Sequence, residues 1–141
     1  MKKTQKTILV ICNLLLLATL PMPWYYHQDV TIQYQLTYAN GIECLFMGKQ
    51  GLGLPVAMVL FMGIFILAVI KDNTVIAGIA NVGMIIFLLL GNMLNEDHMS
   101  WAVFKFGFGA CASYGVYIAI GVLIVTLLLM LIFGIMSRKK E

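Results

Sequence analysis

The chain has 141 residues, 62% of them hydrophobic and 11% charged, with a formal net charge of +3 at pH 7. Soluble domains run at roughly 45–50% apolar and about 25% charged, so this composition excludes a disordered chain, a nucleic-acid-binding domain and an ordinary cytosolic enzyme. With a mean hydropathy of +0.97, the reading is an all-α integral membrane protein: one polytopic domain over residues 1–141, an antiparallel bundle of four transmembrane helices.

The first predicted helix covers residues 7–21. A spanning helix needs about 20 mainly apolar residues to cross a core of ~30 Å. Lys2, Lys3 and Lys6 precede this run, and Pro21 and Pro23 stop it. A basic start before a short apolar stretch also begins a signal peptide. Ala18 suits a cleavage site, but Leu20 stands where a second small residue belongs. Retention of the helix is therefore the reading and cleavage its alternative. Trp24, Tyr25 and Tyr26 follow, and read as an interfacial anchor, where amphipathic rings collect.

The outer loop 22–53 carries a strand pattern. Val30, Ile32, Tyr34, Leu36 and Tyr38 alternate with Thr31, Gln33, Gln35 and Thr37. A period of two with aromatic and β-branched residues predicts a strand with one apolar face. Asn40-Gly41 is a hairpin turn signal, and Ile42 to Phe46 can return as a second strand. The expectation is an extracytoplasmic β-hairpin over residues 30–46.

The second helix is predicted over 54–70, a cytoplasmic loop over 71–73 and the third helix over 74–94. Lys71-Asp72-Asn73 is short enough to force an antiparallel pair, with Asn73 as N-cap. The second outer loop is 95–111. Its Phe104, Phe106 and Phe108 alternate and make residues 102–108 a third strand, irregular chain or an outward extension of the last helix. The fourth helix is predicted over 112–136. The four spans contain no Lys, Arg, Asp or Glu.

Small residues mark helix packing faces: Ala77, Gly78, Asn81 and Gly83 on the third helix, and Gly107, Cys111, Gly115 and Ala119 at helical spacing into the fourth. Asn13 and Asn81 are positioned to hydrogen-bond between helices. Cys12 reads as packing, whereas Cys44 and Cys111, both on the outer side, are a candidate disulfide. His27 lies near Asp29, and His98 beside Glu96-Asp97, but one histidine in each of two loops is more plainly a solvated residue than a metal ligand. The sequence offers no catalytic residue, cofactor site or metal site by motif.

Orientation follows from the basic residues. Lys2, Lys3, Lys6, Lys71, Arg138, Lys139 and Lys140 fall on the side of the termini, against Lys49 and Lys105 on the other. The positive-inside rule puts both termini in the cytoplasm of a cell-membrane protein. Four helices with a hairpin in a long first outer loop resemble the claudin-type tetraspans in architecture. The loop has Pro23-Trp24 and Cys44 but departs from that family's tryptophan, glycine-leucine-tryptophan and two-cysteine pattern, so no functional residue carries over. The expected function is non-enzymatic. It works through protein–protein contact, as an accessory subunit of a membrane complex or an immunity-type protector. Expected partners are the lipid bilayer and another membrane protein or a second copy, not nucleic acid. An oligomeric transporter or channel component is the alternative, and a membrane enzyme using extracytoplasmic His27, His98 and Glu96 a second one.

Overall fold

The computed structural model of the chain describes residues 1–28, 36–42, 53–90 and 113–138. In chain order they form α1 (Lys3–Ala18), β1 (Pro23–Gln28), β2 (Leu36–Asn40), α2 (Gly53–Ile70), α3 (Thr74–Leu90) and α4 (Tyr114–Arg138). The architecture is predominantly helical. Each helix packs on two others: α1 on α4 and α2, and α3 on α2 and α4. Among the described residues, one helix is long and apolar enough to cross a membrane, Tyr114–Ser137; Val56–Ile70 and Thr74–Leu89 are shorter apolar helices.

Helix α1 begins at Lys3, ahead of the predicted start. Lysine is a good helix former, so nothing stops the first turn from extending back into the basic segment. The helix ends where Thr19 turns its hydroxyl onto the Leu16 carbonyl at 2.7 Å. Pro21 and Pro23 then prevent its continuation by removing N–H donors.

The strands pair differently from the predicted hairpin. β1 and β2 are antiparallel, in a register that runs from Pro23–Asn40 through Tyr26–Tyr38 to Gln28–Leu36. The sequence places a turn at Asn40-Gly41. Instead Asn40 closes β2 opposite Pro23, and Gly41 and Ile42 follow in helical conformation. The partner of β2 therefore precedes it. Alternation identifies a strand but not its partner, and Trp24-Tyr25-Tyr26 are themselves strand-forming residues. The remainder of the predicted hairpin, residues 29–35 and 43–46, and the candidate strand 102–108 lie outside the described residues.

The α2–α3 connection follows from local rules. The Asn73 N–H donates to the Ala68 carbonyl at 2.8 Å and the Asp72 N–H to that of Val69 at 3.2 Å. Together they make a Schellman ending, with Asp72 in the left-handed region at φ 58°. Asn73 Oδ1 then accepts the Ile76 N–H at 3.1 Å, which is the N-cap the sequence predicts. One residue thus ends α2 and the next starts α3.

The core runs along the axis between the helices. Leu9 and Leu16 of α1, Met62 and Phe65 of α2, Ala77 and Met84 of α3, and Ala119 and Leu123 of α4 are buried in it. Leucines and phenylalanine supply volume, and alanines let α3 and α4 come close.

Candidate functional site

Three places along the molecule bring chemistry-bearing residues together. The first is the sheet end. Trp24 sits at a register shift between Pro23 and Tyr25. An irregularity of this kind frees a residue from the ladder and re-aims its side chain. The indole is 1% exposed, and its Nε1 donates to the Thr19 carbonyl at 2.9 Å. The Trp24 carbonyl accepts the Ser113 N–H at 2.7 Å, which ties β1 to the start of α4. Glycines make room for the ring. A Cβ on Gly41 would stand 2.5 Å from Trp24 Cε2, and one on Gly115 2.5 Å from the Pro23 carbonyl oxygen and 2.8 Å from Trp24 Cδ1. Trp24 is therefore a buried keystone and not the interfacial anchor expected with Tyr25 and Tyr26. An indole with a polar N–H goes inward when a carbonyl waits for it. Tyr25 and Tyr26 lie in β1 and pair with Ala39 and Tyr38.

The second place is the middle of the helices. Asn13 of α1, Asn81 of α3 and Thr126 of α4 are each 0% exposed. At 1.5 Å per residue, Asn13 lies about 15 Å above Lys3, Asn81 about 10 Å above Thr74 and Thr126 about 18 Å above Arg138, so all three fall near mid-depth. Asn13 Nδ2 points at Met84 Sδ, 3.8 Å away, a weak acceptor. Thr126 Oγ1 donates to the Val122 carbonyl of its own helix at 2.7 Å. Among the described residues, Asn13 Oδ1 and both polar atoms of the Asn81 side chain have no partner. Of the two amides expected to hydrogen-bond between helices, Asn13 does so through its contact with Met84 of α3, and Asn81 does not. Buried amides normally find partners, so these three atoms mark the point where local packing has not dictated the residue.

The third is the basic end. Lys6 Nζ reaches the Ile70 carbonyl at 2.8 Å and the Asp72 carboxylate at 2.5 Å. The N-terminal ammonium pairs with the same carboxylate at 2.9 Å. Hydrogen bonding by Lys6, then by the N-terminus, holds the Asp72 carboxyl below the usual carboxylate range. The ion pairs clamp α1 to the α2–α3 turn.

A groove opens between α3 and α4 from this end. It has a volume of about 730 Å³ and is walled by Phe61, Gly78, Val82, Ile86, Met130 and Gly134 among other apolar residues. Its shape follows from three glycines. Phe61 fills the notch at Gly83, where a Cβ would come within 2.8 Å of the ring, and Met130 leans over Gly78 at 3.2 Å. Gly134 leaves open space, its nearest neighbour being Thr74 Cγ2 at 3.9 Å.

The packing residues named from sequence divide accordingly. Ala77, Asn81 and Ala119 are buried between helices. Gly78, Gly83 and Gly115 admit neighbouring side chains or backbone. Gly107 and Cys111 lie outside the described residues, as do Cys44, His98 and Glu96, so neither the candidate disulfide nor the histidine cluster is described. His27 is in β1, opposite Thr37. Cys12 is a free cysteine on α1. Among the described residues, no group of three or more His, Cys, Asp or Glu is placed to hold a metal ion. No family model, curated protein or solved structure matches the chain.

Proposed function

We propose that the chain is a multi-pass protein of the plasma membrane. Four helices cross it, both termini are cytoplasmic, and it acts without catalysis by contact with another membrane protein. The carrying observation is an inverted surface. Val59, Val75 and Ile79 are 66–67% exposed, while Asn13, Asn81 and Thr126 are wholly buried. Every helix turns large aliphatic residues outward, with Ile11 on α1, Leu60 on α2, Ile76 on α3 and Leu128 on α4 among them. A soluble protein reverses this arrangement, because exposed aliphatic patches of this extent draw association. Lipid tails accept such a surface and drive polar groups inward. Helices α1, α2 and α3 are about 24–27 Å long at 1.5 Å per residue, a modest mismatch that a bilayer meets by thinning or by lysines reaching outward. The basic asymmetry supports the orientation. Leucine, phenylalanine, methionine and alanine fill the interior, and their chemistry is packing. That suits an accessory subunit or an immunity-type protector.

Affinity purification in mild detergent tests this function. A membrane protein recovered in fixed ratio, and lost when outward residues of α2 are changed to bulkier ones, is the expected result. A chain that purifies alone, or only with itself, and passes ions in planar bilayers overturns it. That result would favour an oligomeric transporter or channel component, which the unpartnered atoms of Asn13 and Asn81 support. Topology is tested by Gln35→Cys in a chain whose Cys12, Cys44 and Cys111 are replaced by serine, which should react with impermeant thiol reagents from outside the cell only.

A further inference from the structure

We propose that the α3–α4 groove holds one acyl chain of an anionic phospholipid of the cytoplasmic leaflet, with its headgroup beside Lys71 and the basic end of α4. The inference rests on the membrane-spanning reading above and adds a ligand to it. The first argument is length. The groove runs from Thr74 to Ile86 on α3, which is about 18 Å at the helical rise. Half of a ~30 Å hydrocarbon core is about 15 Å, so the groove matches one leaflet's acyl chain. Its lining residues on α3 end at Ile86, so it offers a site of one leaflet's length.

The second argument is charge. The groove starts at the basic end, where Lys71 is exposed and Arg138, Lys139 and Lys140 close α4 in the sequence. The nearby acid, Asp72, is already engaged by Lys6 and the N-terminal ammonium, so it does not neutralise Lys71. In the sequence Arg138, Lys139 and Lys140 stand against one acid, Glu141, so with Lys71 this end carries net positive charge, and each basic residue near the surface favours an anionic headgroup. The third argument is volume. About 730 Å³ of space, walled almost wholly by carbon, lies within the range of small-ligand sites. A chain of methylenes fills it without presenting a polar atom to Val82, Ile86 or Met130.

The test uses the full chain in nanodiscs of equal phosphatidylcholine and phosphatidylglycerol, followed by release of bound lipid in native mass spectrometry. The wild type should retain phosphatidylglycerol in preference. Lys71→Gln should cut that preference by about fivefold, the factor expected for one basic residue. Gly134→Leu projects a side chain into the groove from a position with room for it, and should lower retention more than about tenfold, since losing two buried methylenes suffices for that. Gly121→Leu is the control, because a Cβ there meets nothing within 4 Å. Equal retention of both lipids by the wild type overturns the proposal without recourse to any variant, as does a folded Gly134→Leu chain that keeps its lipid. Carbonate extraction separates the two readings. A chain stripped from membranes by carbonate refutes the spanning reading, whereas one that stays and retains no phosphatidylglycerol refutes only the groove.

Discussion

Replacing Gly41 by alanine decides why a glycine stands there. If Gly41 served a hairpin turn, its use would be a positive φ, which asparagine also tolerates. The close approach of Trp24 gives a different reason. An added Cβ would lie 2.5, 2.8 and 2.9 Å from three indole carbons. To restore ordinary contact at 3.4 Å, the ring or the chain must yield by about 0.9 Å, the difference between 3.4 and 2.5 Å. The ring is held on two sides. Its Nε1 bond to the Thr19 carbonyl is 2.9 Å long, and its residue's carbonyl receives the Ser113 N–H at 2.7 Å. Hydrogen bonds of this kind weaken quickly once stretched. Overpacking of this degree costs about 1–3 kcal/mol, and loss of the indole hydrogen bond adds about 1 kcal/mol. Gly41→Ala should therefore destabilise the protein by about 2–4 kcal/mol, and Gly41→Asn by at least as much. In a Trp24→Ala background the space is empty. There the cost of Gly41→Ala should fall to within about 0.5 kcal/mol of zero, a large coupling for a contacting pair. The assay is unfolding in mixed micelles of mild detergent and dodecyl sulfate, followed by far-ultraviolet circular dichroism. A neutral Gly41→Asn, or a Gly41→Ala cost that persists when Trp24 is gone, would refute the close-approach argument.

Further expectations concern the other end and the middle. Asp72 has its carboxyl held low by Lys6, so the pairing contributes above the ordinary aspartate value and is lost as pH falls through the lowered folded value. Asp72→Asn, which keeps a residue tolerant of left-handed backbone, should lower stability at neutral pH and flatten the acid limb of the stability profile, converging with wild type below about pH 4. An unchanged acid limb would show that the pair contributes nothing. Asn81→Leu removes two buried atoms that have no partner among the described residues, and should leave resistance to dodecyl sulfate unchanged or raise it by up to about 1–3 kcal/mol. A clear loss in that titration would mean that the amide is satisfied in the membrane. Gly115→Ala should destabilise despite alanine's helix advantage of about 1 kcal/mol, because the Cβ meets the Pro23 carbonyl oxygen, a backbone atom that cannot rotate away. A stabilised variant in the same titration would contradict the geometry.

How much of this was legible differs by the kind of information each feature needs. Helix positions are legible because a run such as 54–70 is apolar throughout, and length alone then limits what it can be. The α2–α3 turn is legible because its determinants are local: Asn73 caps the helix that begins beside it. Gly78, Asn81, Gly83, Gly115 and Ala119 announce close packing by their size, yet size does not name the neighbour. Phe61, Met130 and the Pro23 carbonyl come from other elements. Trp24 shows the limit most directly. Beside Tyr25 and Tyr26 it looks like part of a lipid-interface belt, and a lone aromatic cluster carries no sign of facing inward. The signal that it does is divided between Gly41 and Gly115, which become meaningful only when three segments are superposed on the ring. Asp72 is the complementary case. At a helix C-terminus a left-handed residue is usually glycine or asparagine, so local reasoning finds aspartate there unexplained. The carboxylate's partner is Lys6, in another helix, and the local preference yields because a charge at that position fastens α1 to the turn. In both instances the residue that local rules misread is the one on which separate parts of the chain converge.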